Sequence, residues 1–208
     1  LSSTSSRVLI TNKHRKNKQT DMAKDWTGNC NSVFKTLGSS QHSSSERQRE
    51  DYYATEPKAA ELLLQEVPEL NNIWECDCGE KHLAGVFEKA GVLGRATDLI
   101  DRCGNEIQDF LAIDNLHWNG DIVTNPPYKY ALEFVEKALQ IIDDGRLACM
   151  FLKVQFMEGK SRKNLFLSQP PKVIYVSSSR LNCAKNGDFE GMRTSGGSAV
   201  AYAWYVWQ

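Results

Sequence analysis

The stretch Gly120-Asp121-Ile122-Val123-Thr124-Asn125-Pro126-Pro127-Tyr128 decides how this chain is read. The apolar pair Ile122-Val123 reads as the end of a buried strand. Two consecutive prolines then stop it, because they cannot donate to a ladder and they hold the chain extended. An amide side chain is thereby set on stiff backbone at the C-terminal mouth of a sheet, with an aromatic ring just beyond. Open α/β sheets bind their ligands at such mouths. The corner suits attack by an exocyclic amine. The Asn125 side-chain oxygen and the Pro126 carbonyl can both accept from one NH2 group, which orients the nitrogen lone pair. Tyr128 offers a face for a planar base or amide. The plainer alternative is a Pro-Pro turn after an ordinary Asn.

Asp121 to Tyr128 resembles motif IV of the S-adenosylmethionine-dependent amino methyltransferases, the group that includes DNA N6-adenine methyltransferases. From about Asp25 onward the chain is similar to the small adenine-methyltransferase-like proteins of phages and mobile elements. The resemblance implies the class I methyltransferase fold, an α/β, Rossmann-like three-layer sandwich. Its mostly parallel seven-stranded sheet would take one antiparallel strand from the last hairpin. The alternation of strand and helix signals along the chain supports that class independently. The resemblance also implies S-adenosyl-L-methionine as cofactor, with Asn125, Pro126, Pro127 and Tyr128 as the catalytic corner. Adenine N6 in DNA is the leading substrate, so DNA is the expected partner. Cytosine N4, an RNA base and a protein Gln amide present similar NH2 groups.

Working upstream, Asn72-Ile73-Trp74-Glu75-Cys76-Asp77-Cys78-Gly79-Glu80 reads as a strand running into a tight turn, and His82 to Ala90 as a helix. Strand, small-residue turn and helix form the usual seat of a nucleotide-like ligand. The resemblance here is to motif I, with Glu75 at the strand end and Gly79 permitting close approach of the cofactor. Two departures stand out: the family usually has glycine where Lys81 stands, and often Pro at Cys76. Arg95 to Asp101 reads as a short strand ending in acid. Asp98 lies about twenty residues past the glycine turn, the spacing at which a carboxylate meets ribose hydroxyls. Asp101 competes for that role. Asp109-Phe110-Leu111 resembles motif III, where the Asp accepts from the cofactor's adenine and Phe110 packs on its ring. Before all of these, Thr55 is placed to cap a helix from about Lys58 to Leu64, with Pro57 in its first turn. This matches motif X, in which Tyr53 and Thr55 approach the methionine end of the cofactor.

Downstream, Ala131 to Ile142 carries apolar residues at helical spacing, and Arg146 to Val154 is a buried strand. Ser161 to Leu167 looks helical and offers Arg162 and Lys163 to phosphates. Strands are expected at Lys172 to Val176 and Ala199 to Trp207. Between them, Ser177 to Gly197 reads as a long polar loop whose Arg180, Lys185 and Arg193 could grip substrate.

The 208 residues suffice for one full-sized domain, here 51–208. Residues 1–24 read as a disordered polar extension, with a basic run from His14 to Lys18, and 25–50 as a turn-rich arm. Twenty-five basic against twenty-six acidic side chains leave a net charge of −1, which excludes a uniformly basic nucleic-acid coat. Six cysteines without a secretory leader, and without the two-residue gap of a zinc knuckle, suggest reduced thiols in a cytoplasmic protein with no metal. No apolar run is long enough for a membrane span. A degenerate methyltransferase fold acting as a binding subunit is the second reading, motivated by Lys81 and the Cys76-Asp77-Cys78 turn. A dinucleotide-dependent oxidoreductase is disfavoured, since Gly-x-Gly-x-x-Gly is missing.

Overall fold

Strand β9 (Tyr202–Trp207) shows how the core is organised, because all six of its residues are buried and they alternate between two clusters. Tyr202, Trp204 and Val206 face one side with Ala59, Leu63 and Phe87, whereas Ala203, Tyr205 and Trp207 face the other with Phe134, Val135 and Ala138. The period-two pattern of a strand buried on both faces gives a three-layer structure. Each polar handle on this strand has a partner: Trp204 Nε1 donates to the Ala59 carbonyl at 2.8 Å, and Trp207 Nε1 to Gln169 at 3.0 Å.

A computed structural model describes residues 53–185, 187–194 and 200–208; the expected extension 1–24 and the arm 25–50 lie outside these. The strands are β1 (Tyr53–Thr55), β2 (Ile73–Glu75), β3 (Leu93–Asp98), β4 (Glu106–Ile107), β5 (Ile122–Thr124), β6 (Ala148–Lys153), β7 (Val173–Val176), β8 (Cys183–Lys185) and β9. The helices are α1 (Pro57–Glu66), α2 (Ala84–Lys89), α3 (Ala131–Ile141), α4 (Lys163–Ser168) and α5 (Phe189–Thr194). Seven strands form one sheet in the order β4-β3-β2-β5-β6-β9-β7. All neighbouring pairs are parallel except those of β9, which runs antiparallel to β6 and β7. The expected single antiparallel strand is therefore β9. Residues of α1 and α2 pack in one buried cluster, and residues of α3 and α4 in the other.

Two local expectations are corrected. Thr55 is not a helix cap: it ends β1, and Glu56 takes the cap position of α1 without a side-chain cap bond. The region Ser177 to Gly197 is not one long loop, because it contains β8 and α5. β8 pairs antiparallel with β1, Thr55 opposite Cys183, in a separate two-stranded ribbon. Strands of three residues leave no periodic trace in sequence, so their pairing was not legible there. The helix expected from His82 starts only at Ala84, with Leu83 in the cap position. No helix among the described residues is long and apolar enough to cross a membrane.

Candidate functional site

Chain order reverses between β2 and β5: β3 and β4 extend to one side and β6 to the other. Such a switch point opens a crevice at the C-terminal strand ends. A cavity of about 520 Å³ lies there, lined by Glu75 from β2, Asp98 from β3 and Asn125 beyond β5. Tyr53, Thr55, Asp109, Phe110, Pro126, Pro127 and Tyr128 line it as well. Gly79 does not, but its N–H donates to Asp98 Oδ2 at 2.8 Å, so the turn behind the cavity wall is tied to the next strand.

Why β5 ends in this corner follows from Asp121 and Gly120. Asp121 is buried, and its two oxygens accept from the N–H groups of Asn71 at 2.7 Å and Leu147 at 2.8 Å, which fixes the strand's entry. A Cβ on Gly120 would lie 2.1 Å from the Asn72 carbonyl, so only glycine fits that crossing. Beyond Thr124 the prolines carry the chain into a 3-10 turn, Tyr128–Tyr130.

Asn125 is held from above by the β1–β8 ribbon. Its Nδ2 donates to the Tyr53 carbonyl at 3.2 Å and lies 3.9 Å from Cys183 Sγ. A carbonyl can only accept, so this contact sets the amide orientation. Oδ1 is then a buried acceptor without a hydrogen-bond partner. Tyr128 is less open than its expected stacking role requires. Its ring lies 5.6 Å from Tyr53 and 6.0 Å from Tyr202, with Lys153 Nζ 4.1 Å from its centroid. Its hydroxyl donates to Tyr202 at 2.8 Å, and burial raises the phenol's pKa. Any base stacking on Tyr128 must share it with Tyr53.

The side expected to hold the cofactor is rich in carboxyls. Glu75 is fully buried, which pushes its pKa well above the usual range, and its Oε2 has no partner. Asp77 is pushed up to about 8 by burial and by the neighbouring Asp98, with Arg102 opposing. Asp98 is buried and also accepts the Ile100 N–H at 3.0 Å, whereas Asp101 is exposed and closes its own loop through the Gly104 N–H. Between the two competing acids, only Asp98 lines the cavity. Asp109 sits exposed at the rim; Phe110, only 2% exposed, packs against Trp74 and Phe134 and belongs chiefly to the core.

Lys81 occupies the left-handed backbone region that favours glycine, the residue that the resemblance leads one to expect there. Its side chain turns away, donating to the Gly104 carbonyl at 3.1 Å, and it does not line the cavity.

Of the cations expected to meet substrate, Arg162, Lys163 and Arg180 do not line the cavity. Arg162 is a structural clamp: Nε donates to the Phe156 carbonyl at 2.6 Å, and the guanidinium also meets the Glu158 carbonyl. Lys163 and Arg180 are exposed, and the side chain of Lys185 lies outside the described part. Lys129 and Tyr130, residues the sequence did not single out, do line the cavity, as does Arg102. Lys129 Nζ lies 3.1 Å from the Tyr130 hydroxyl, and the ring is 42% exposed.

Among solved structures, a proposed RNA methyltransferase from Pyrococcus horikoshii, PH1948, aligns over 86% of this chain and 98% of its own, at 10% identity and a TM-score of 0.51. The fold is the class I methyltransferase fold. A SAM-dependent O-methyltransferase from Thermotoga maritima aligns over 73% of this chain at 13% identity and a TM-score of 0.47. TrmN from Thermus thermophilus does so over 73% at 14% and 0.46. This chain covers 65% and 48% of those two proteins. No family model and no curated protein matches it. Placed on the methyltransferase fold, the cavity is the crevice at the sheet's switch point, and Asn125 stands at its edge beneath the β1–β8 ribbon.

Proposed function

We propose that the protein is an S-adenosylmethionine-dependent methyltransferase acting on an exocyclic amino group, first of all adenine N6 in DNA. The observation that carries this reading is the buried, unpartnered Oδ1 of Asn125, in a side chain whose Nδ2 is already committed to Tyr53. A buried acceptor without a donor costs about 1–3 kcal/mol. A substrate NH2 would recover that cost, and an oxygen nucleophile bearing no hydrogen would not.

The residues present fit the cofactor. Glu75 Oε2 is a second buried atom without a partner, and the carboxyls of Asp77 and Asp98 face the same cavity. Carboxyls suit the positive charge of a sulfonium and an ammonium group and the hydroxyls of a ribose. Bound there, S-adenosylmethionine would supply an activated methyl group for in-line transfer. The chain's part is to orient the amine through Asn125, to exclude water beneath the ribbon, and to let the nitrogen's proton leave after it becomes cationic. Positioning and electrostatics are the means.

An RNA base is the first alternative substrate, in line with the description of PH1948; cytosine N4 and a protein Gln amide follow. The reading as a non-catalytic binding subunit loses one of its two motives, because the Lys81 side chain points away from the cavity, and keeps the other, the Cys76-Asp77-Cys78 turn in the cavity wall. Incubation with labelled cofactor and either DNA or RNA, followed by nucleoside mass spectrometry, tests the proposal. N6-methyladenine in DNA is the expected product. No methylated nucleoside, together with no heat on titration with S-adenosylhomocysteine, would overturn the enzymatic reading.

A further inference from the structure

Cys183 opens β8 and reaches the Asn-Pro-Pro-Tyr corner from the side opposite the sheet. It is 3% exposed. Its Sγ lies 3.9 Å from Asn125 Nδ2 and 4.0 Å from Thr55 Oγ1. The hydroxyls of Tyr128 and Tyr202 are hydrogen-bonding neighbours of the same thiol. One sulfur therefore touches both polar side chains of the corner.

We propose that Cys183 is a positioning residue for the amine site, steadying the Asn125 amide and the Tyr128 hydroxyl so that Asn125 Oδ1 alone is offered to the substrate NH2. The inference rests on the amino methyltransferase reading above. The last torsion of an Asn side chain is broad and soft, so the Tyr53 contact decides which end of the amide faces it but leaves the amide free to rock about that contact. Tyr53 takes one Nδ2 hydrogen, and the sulfur stands as a weak acceptor near the second. A half-turn of the amide would set Oδ1 against the Tyr53 carbonyl, acceptor against acceptor. Burial pushes the thiol up to about 11, so it stays S–H at neutral pH and can serve as both donor and acceptor. The residue acts through Asn125 and Tyr128, and it is not among the residues lining the cavity.

The test compares Cys183→Ala and Cys183→Ser in the full chain, with S-adenosylhomocysteine titration to establish that each variant folds. The two replacements differ only by a hydroxyl. A packing role would make Ser no better than Ala, since it buries an extra polar group. A positioning role places Ser above Ala. Loss of alignment at a reacting centre can cost a hundredfold; for Ala we expect a fall in kcat of about tenfold with KM unchanged, the pattern of a lost transition-state contact. The side-chain NH2 resonances of Asn125, assigned by their loss in Asn125→Ala, should be slow to exchange in the wild type and fast in Cys183→Ala. Wild-type kcat in Cys183→Ala, or Ser no better than Ala, or amide resonances unmoved by Ala, would overturn the assignment. A wild type that methylates no amine would count against the enzymatic reading instead, and the exchange of the Asn125 amide would still decide the role of Cys183.

Discussion

The backbone N–H of Gly79 donates to Oδ2 of Asp98 at 2.8 Å, which fastens the turn after β2 to the end of β3. One carboxylate thus shapes the turn and faces the cavity. Asp98→Ala should leave the Gly79 and Ile100 N–H groups without their acceptor, a cost of about 1–3 kcal/mol for a buried donor. Affinity for S-adenosylhomocysteine should fall by more than tenfold in calorimetry, with a lower melting temperature. Unchanged affinity would show that Asp98 does not shape the cofactor seat.

Asp77 and Asp98 form a close carboxyl pair, and burial together with Asp98 raises Asp77 to about 8. An acid raised in the folded state contributes stability that is complete below its unfolded pKa of about 3.9 and is lost as pH rises through about 8. Asp77→Asn should therefore raise the melting temperature at pH 8.5 more than at pH 5, by about 2–4 °C for each kcal/mol recovered. A cationic ligand favours the ionised form. Preference for S-adenosylmethionine over its uncharged-sulfur product should accordingly grow between pH 6 and pH 9, and Asp77→Asn should flatten that growth.

Lys81 holds φ 63, where a side chain costs about 1–2 kcal/mol relative to the ordinary backbone region. Lys81→Gly relieves this but gives up the contact with the Gly104 carbonyl and adds freedom to the unfolded chain. A net gain of under about 1 kcal/mol is expected in chemical denaturation, with cofactor affinity within twofold of wild type. A large loss of affinity would mean that Lys81 serves the cofactor seat directly.

Much of this was legible in the sequence. The Asn-Pro-Pro corner announced itself because proline's missing donor and fixed φ act locally, whatever the tertiary context. The strand ending at Trp207 and the helical spacing of Ala131 to Ile142 were legible because their patterns are local too, as was Asp98 at the end of its strand. The β1–β8 ribbon was not, since its three-residue strands, Tyr53–Thr55 and Cys183–Lys185, are paired across most of the described chain by tertiary contact alone. Which cations line the cavity was not legible on a related ground. Charge in sequence says nothing about which carbonyls a guanidinium will find, and Arg162 had Phe156 and Glu158 at hand.

Lys129 and Tyr130 line the cavity that holds Asn125, and their side chains touch each other. An exposed ring beside a cation suits a nucleobase next to the one being methylated. Tyr130→Ala should weaken binding of a single-stranded oligonucleotide by about tenfold, in keeping with stacking worth 1–3 kcal/mol per base. Lys129→Ala should weaken it uniformly across sequences and make binding less salt-dependent. Fluorescence anisotropy at two ionic strengths reads both effects. Wild-type binding by both variants would move substrate contact away from this rim.

Asn125 tests the reading most sharply, because its two ends have separate duties: Nδ2 anchors to Tyr53, while Oδ1 waits without a partner. Asn125→Asp removes the donor and sets a carboxylate against the Tyr53 carbonyl, so it should lose both orientation and activity. Asn125→Ala removes acceptor and anchor together and should abolish methyl transfer. S-adenosylhomocysteine should still bind either variant, since the carboxyls of Glu75, Asp77 and Asp98 are untouched. Removing a single preorganised group at a reacting centre costs about 100- to 1,000-fold in kcat; a radiolabelled methyl assay resolves a loss of that size. Equal activity in wild type and Asn125→Ala would show that the buried oxygen holds no substrate nitrogen, and the amine-directed reading would fall even if the cofactor bound as expected.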